Sequence, residues 1–195
     1  MVPYFLCMHG RMKKFEIHLK NQSYRELREN PLSAAEAMEV LHVADMGNVV
    51  GVKINGENRD LSTGIASEAG LEPIFINSGE GLEILRHSIS HVMAMAVKEL
   101  FSGVKVTIGP AIESGFYYDF DYERPFREDD LPEIEEKMKE IIEADLPFVR
   151  KELTSQEAVD LFKREGEDYK VELINDLGTE NVSLYTQGSF TDLCR

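Results

Sequence analysis

The sequence predicts an α+β protein built from two small domains, on three observations. Segments with the two-residue period of half-buried strands are interleaved with segments of helical period. Glycine-containing turn signals, Asn55-Gly56 and Gly109-Pro110 among them, break the chain at short intervals. A glycine-flanked stretch, Ser78-Gly79-Glu80-Gly81, stands between a hairpin-rich first part and a remainder that opens on a long helix. At 195 residues the chain has room for one large domain or two small ones. With 43% of residues hydrophobic it has the material for a core.

Residues 1–11 fit no element and read as a non-native or loose extension, since Met12 opens a more natural start. Phe15, Ile17 and Leu19 alternate with polar residues, which predicts a strand, and Asn21-Gln22-Ser23 a turn into a return strand at Tyr24–Leu27. Pro31-Leu32-Ser33 opens a helix running to about Val43. Ser33 and Glu36 form a capping box, in which hydroxyl and carboxylate each satisfy an otherwise free backbone donor. Val49–Ile54 is the next strand, Asn55-Gly56 a two-residue hairpin turn, Asn58–Leu61 the return, and Pro73–Asn77 a last strand. A hairpin, one helix and further strands within residues 12–78 make the layout of a small β-grasp, one helix on a mixed sheet.

The second domain spans 79–195. Leu82–Phe101 reads as a long helix with a stripe of Leu85, Ile89, Val92, Ala96 and Leu100. Lys105–Tyr122 is strand-rich. Asp129–Ala144 is an acidic helix, read as a solvated face. Phe148–Leu153 is a strand, and Thr154 or Ser155 caps a helix to about Arg164. Tyr169–Leu177 is a short helix, and Ser183–Tyr185 and Phe190–Cys194 are late strands. The expectation is a long helix packed on a mostly antiparallel sheet.

Charge and cysteine content exclude several function classes. Asp and Glu number 36 against 21 Lys and Arg, a net charge of −15, so the chain as a whole repels phosphates. Contact with a nucleic acid then needs a local patch or help from other domains. Two cysteines, Cys7 and Cys194, are too few for a disulfide framework and fit a reducing compartment. No apolar run reaches the ~20 residues of a membrane helix, and no secretory leader is read at the start. There is no phosphate-binding G-x-x-x-x-G-K-[ST] and no dinucleotide-binding G-x-G-x-x-G, so nothing in these residues points to ATP chemistry.

Four places bear residues suited to chemistry. His87 and His91, four apart, share one helix face. They suit two metal ligands, two groups on one substrate atom, or a hydrogen-bonded structural pair. Ser88 stands where a metalloprotease helix has its glutamate, so the base of that chemistry is missing. Asp192 and Cys194 point to the same side of a strand. Together with the histidines they compose either a zinc site or a metal-free hydrolytic site. In Gly115-Phe-Tyr-Tyr-Asp119, Tyr117 and Tyr118 face opposite sides, so one packs in a core while the other presents a hydroxyl. Lys170, in Gly166-Glu-Asp-Tyr-Lys170, matters only if it points at the same cleft, where it would hold an oxygen of a bound group.

In order, Arg86-His-Ser-Ile-Ser-His91, Ile108-Gly-Pro110, Gly115-Phe-Tyr-Tyr-Asp119, Gly166-Glu-Asp-Tyr-Lys170 and Asp192-Leu-Cys-Arg195 resemble the N-terminal half of bacterial-type threonyl-tRNA synthetases. The unit at 12–78 resembles that family's TGS domain, a β-grasp module. The two-histidine motif by itself is shared with alanyl-tRNA synthetase editing domains. The TGS-like leader and the G-F-Y-Y-D strand favour the threonyl family.

The resemblance implies editing, the hydrolysis of seryl-tRNA made in error. A site built for threonine cannot strongly exclude serine, because one methyl group changes binding by only about 1–3 kcal/mol. It further implies that His87, His91, Lys170, Asp192 and Cys194 are catalytic and that Tyr118 shapes the substrate pocket. His87, His91 and Cys194 are candidate zinc ligands, with zinc not expected to be tightly held. ATP, magnesium and a further zinc belong to a catalytic core that this sequence lacks. The family pattern continues after Arg195 with Gly-Pro-His, so the chain is expected to be a fragment. The parent is expected to be a cytoplasmic homodimer acting on tRNA-Thr. Two alternatives stand beside this reading: a freestanding deacylase that edits in trans, and a non-catalytic RNA- or protein-binding module.

Overall fold

The computed structural model describes residues 13–19, 22–28, 31–65 and 68–194, and it is an α+β structure. The expected extension at residues 1–11 and the first residue of the expected turn, Asn21, lie outside the described residues, while Gln22 and Ser23 of that turn belong to a strand. By its contacts the chain divides into two compact units, Met1–Ile84 and Leu85–Arg195.

In the first unit, β1 (Lys13–Leu19) and β2 (Gln22–Arg28) form an antiparallel hairpin in continuous register from Lys13↔Arg28 to Leu19↔Gln22. The short β3 (Leu32–Ser33) leads into α1 (Ala34–Val40). Ser33 caps α1: its hydroxyl accepts from Glu36 N while the Glu36 carboxylate accepts from Ser33 N at 2.8 Å. The helix stops earlier than its apolar pattern suggests, because His42 turns to a positive φ of 54°. After a 3₁₀ turn at Met46–Asn48 come β4 (Val49–Ile54), β5 (Glu57–Arg59), β6 (Gly64–Ile65) and β7 (Ala69–Phe75). Five of these strands make one sheet in the order β2-β1-β7-β4-β5, in which β1 and β7 are parallel and the other pairs antiparallel. Ala37 and Met38 of α1 pack with Ile17, Val52 and Leu71 of the sheet, all but closed to solvent.

Ser78–Gly81, the stretch expected to separate the two parts of the chain, is itself the start of α2 (Gly79–Leu100), with Ser78 as its cap. The Ser78 hydroxyl accepts from Gly81 N at 3.0 Å and donates to Phe75 O at 2.7 Å. Gly81 is required there, since a Cβ would come within 2.0 Å of Phe75 O.

The second unit begins inside α2. The strand-rich interval Lys105–Tyr122 holds four short strands: β8 (Lys105–Val106), β9 (Ala111–Ile112), β10 (Gly115–Phe116) and β11 (Phe120–Asp121), paired β8 with β11 and β9 with β10. Then follow α3 (Asp130–Glu143), β12 (Val149–Thr154), α4 (Ser155–Glu165), α5 (Asp168–Leu177), β13 (Asn181–Gln187) and β14 (Phe190–Cys194). Strands β12-β13-β14 form an antiparallel sheet. On one face, Leu184 and Leu193 meet Phe162 of α4 and Ile174 of α5. On the other, Phe190 joins the core of α2 with Met95, Val97 and Phe101. Along α2 beyond its first turn the buried residues are Ser90 to Val92 and Ala94 to Val97, whereas Leu85 and Ile89 of the expected stripe are only half-buried. The acidic helix α3 turns its acidic face to solvent as read, while it buries Ile134, Ile141 and, among its acids, Asp130. Arg124 grips that carboxylate with two nitrogens, at 2.7 and 2.9 Å, and holds its pKa down to about 2.

Candidate active site

Asp192 organises the site. It lies mid-strand on β14, paired with Tyr185 across the sheet and almost wholly buried. An isolated carboxylate at such a place costs several kcal/mol, so it must find partners. It finds four. Lys170 Nζ and the Leu193 backbone N–H, at 2.8 Å, converge on Oδ1. The Tyr118 hydroxyl donates to Oδ2 at 2.6 Å, and His91 Nδ1 stands 2.9 Å from the same oxygen. Burial by itself pushes this carboxyl up. The contact with His91 and the charge of Lys170 outweigh it and hold the group well below the usual carboxylate range.

Each partner comes from a different element. Lys170 is on the first turn of α5 and is 2% exposed, its ammonium shared between Asp192 and the Tyr118 oxygen, 3.0 Å away. Tyr118, two residues after β10, is buried while its neighbour Tyr117 is exposed, the alternation expected of the pair. Burial, then the charge and hydrogen bond of Asp192, push the Tyr118 phenol far up, so it stays a donor at every working pH. His91 and His87 lie one turn apart on α2.

The histidine rings touch edge to face, with Nε2 atoms 3.1 Å apart. His87 Nε2 is also 3.0 Å from Cys194 Sγ, across 107 residues of sequence. Burial, and then the neighbouring His91, lower the pKa of His87, so it is neutral at pH 7. The six sequence-predicted residues, His87, His91, Tyr118, Lys170, Asp192 and Cys194, therefore form one connected cluster. Their depths differ: His87 and Cys194 are half-buried, while Lys170, Asp192 and His91 lie behind them. Lys170 is thus placed to act on Asp192 rather than directly on a bound molecule.

Ligand atoms of His87, His91 and Cys194 lie within 4.8 Å of one another. Two imidazoles and a thiol are a donor set suited to a zinc ion with one open position. Sequence reasoning missed two participants. Ser90 lies inside the two-histidine motif with no chemistry of its own read from the sequence, yet it is closed to solvent. Its hydroxyl lies 2.7 Å from His87 O and 3.1 Å from Gly109 O. Gly109 stands in the Ile108-Gly-Pro110 motif, where the sequence marks a break but not the ring that lies against it. Arg86 also clamps the β9–β10 turn to α2, donating to the carbonyls of Ile112 and Glu113.

Among the described residues no helix is long and apolar enough to cross a membrane. No family model matches the chain. Curated relatives do. A threonine–tRNA ligase of Geobacter sp. (strain M21) is 61% identical over 143 residues, 73% of this chain and 22% of that protein. One from Citrifermentans bemidjiense is 62% identical over 143 residues, with the same coverage. One from Pelobacter propionicus is 48% identical over 184 residues, 94% of this chain and 29% of that protein. The chain thus spans roughly a quarter of the length of the relatives it matches, and over that span it belongs to the threonine–tRNA ligase family.

Proposed function

We propose that this chain is the editing region of a threonine–tRNA ligase and that its cluster hydrolyses seryl-tRNA. The aminoacylation of tRNA-Thr with threonine, using ATP, is assigned to the parts of such a ligase that lie outside this span. The observation that carries the editing reading is the neutral His87, half-open beside Cys194 and backed by His91 and a fully partnered Asp192. A substrate ester would enter from the half-open side.

Asp192 beside Nδ1 favours a proton on that nitrogen of His91 and leaves its Nε2 as an acceptor. His87 Nε2–H then donates to it, so the ring pair is oriented before substrate arrives. In the reaction a water oxygen bonds to the seryl carbonyl carbon, and a neutral imidazole of the pair takes the water proton. The ester C–O bond then breaks, and the same proton passes to the departing ribose oxygen. Free serine and intact tRNA leave. Lys170 and Tyr118 act by holding Asp192 ionised and fixed. A zinc ion, if the His87, His91 and Cys194 set binds one, would supply Lewis acidity; the proton steps above use the chain's own residues.

The deciding experiment is hydrolysis of seryl-tRNA-Thr by this chain, with threonyl-tRNA-Thr and the His87→Ala variant in parallel. Preferential release of serine that falls by about 100-fold or more in the variant is expected. Equal rates for the variant and the parent chain would remove the assignment. The reading as a non-catalytic RNA-binding module has only the overall family relation behind it, and the charge of −15 opposes it.

A further inference from the structure

Tyr118 needs something to aim it, because its ring sits outside regular secondary structure. The segment beneath it is held twice. Thr107 N donates to Asp119 O at 3.1 Å and Asp119 N donates to Ile108 O at 2.9 Å, which sets Gly109 beside Tyr118. A Cβ added at Gly109 would lie 2.0 Å from Tyr118 Cδ2 and 2.5 Å from Cε2, so the bare backbone of Gly109 is the surface on which the ring rests. The Gly109 carbonyl is in turn tied to α2 by the buried Ser90 hydroxyl, which stands 3.1 Å from Gly109 O and 2.7 Å from His87 O with one proton to donate to them. Ser90 precedes His91, so one strut links the backbone of the histidine helix to the ring whose hydroxyl reaches Asp192.

We propose that Ser90 and Gly109 are positioning residues for this site: they set Tyr118 so that its hydroxyl meets Asp192 while the same carboxylate faces His91. Neither touches the reacting atoms. Gly109 acts by having no side chain, and Ser90 acts by fixing the distance between the Gly109 segment and the helix. The inference rests on the hydrolytic reading only for its kinetic consequence; the geometric claim about Tyr118 stands apart from it.

Gly109→Ala must move the ring by more than ~1 Å to reach ordinary contact, and a misplacement of that size costs on the order of 100-fold in rate. The expected result is a kcat for seryl-tRNA hydrolysis lowered about 100-fold with KM within about threefold of the parent chain. Ser90→Ala, which leaves Gly109 intact, is expected to lower kcat about three- to tenfold. In a Tyr118→Phe background, adding Gly109→Ala should cost less than about threefold more, because the phenol it positions is already gone. The second readout needs no activity. Ring-labelled tyrosine NMR of the full chain should show a protected Tyr118 hydroxyl proton that is lost or displaced in Gly109→Ala and shifted in Ser90→Ala. Full additivity of the two substitutions, or an unchanged hydroxyl resonance in a folded Gly109→Ala chain, overturns the strut. Absence of any hydrolysis by the parent chain would instead overturn the function and leave the NMR test to decide the positioning.

Discussion

Asp192 and Lys170 are mutually dependent. Each is 2% exposed or less, and each neutralises the other. Asp192→Asn leaves an ammonium buried without its counter-charge, so the folded state should lose about 3–5 kcal/mol. Urea denaturation of the chain measures this, and a loss under 1 kcal/mol would contradict it. The same residues set a pH dependence. His87 has a folded pKa below its ordinary 6.5, so the unfolded chain takes up the proton first as pH falls. Stability is therefore complete above 6.5 and declines as pH drops toward the lowered folded value. Asp192, also lowered, contributes stability that is complete above about 3.8 and lost as pH falls further. The urea midpoint should be flat between pH 7 and 8, fall below 6.5, and fall again below 4. His87→Gln should flatten the first limb and leave the second.

Helix α4 is the element whose start is most strictly encoded. Thr154 Oγ1 accepts from Glu157 N at 3.3 Å, and the Glu157 carboxylate accepts from Thr154 N at 2.9 Å and from its hydroxyl at 2.6 Å. Gly166 closes the helix at a φ of 74°. Thr154→Ala should cost about 1 kcal/mol in denaturation while hydrolysis stays unchanged, because α4 packs on the sheet face opposite Phe190. A drop in hydrolysis beyond about twofold would mean that α4 bears on the site. Sequence pattern read the starts of such bounded elements closely, a capping box at Ser33 and a cap at Thr154 or Ser155, because caps are local chemistry; the box at Thr154 and the closing Gly166 come from the structure. It read the interval from Lys105 to Tyr122 as strand-rich, but not which strands pair. There, two-residue strands are held by long-range pairs such as Phe120↔Val106, which leave no periodicity to find.

At the scale of the molecule, charge dominates. With a net charge of −15, the chain should bind tRNA at the weak end of the non-specific range, on the order of 10⁻⁴ M at physiological salt. Filter binding of uncharged tRNA-Thr tests this; a submicromolar dissociation constant would show a basic patch that the charge balance hides. Weak binding and competent hydrolysis are compatible if a ligase's other domains deliver the acceptor end, and they predict a high KM for this chain with an ordinary kcat.

By itself the sequence determined the α+β class, most helix starts and the six residues of the cluster, because caps and turns are local signals and the ordered motifs resemble one family. Strand spacing singled out Asp192 beside Cys194, whereas the family resemblance gave Lys170 its place in the site; spacing alone would leave that lysine on the surface. Only the tertiary structure decided their depth. It turned Lys170 inward to Asp192, made Ser78–Gly81 the head of a helix, and gave Ser90 and Gly109 their places against His87 and Tyr118. The physical reason is that burial belongs to the packed assembly. Whether a lysine meets water or a carboxylate depends on a strand 22 residues away, and the space beside a glycine depends on which ring the fold lays across it.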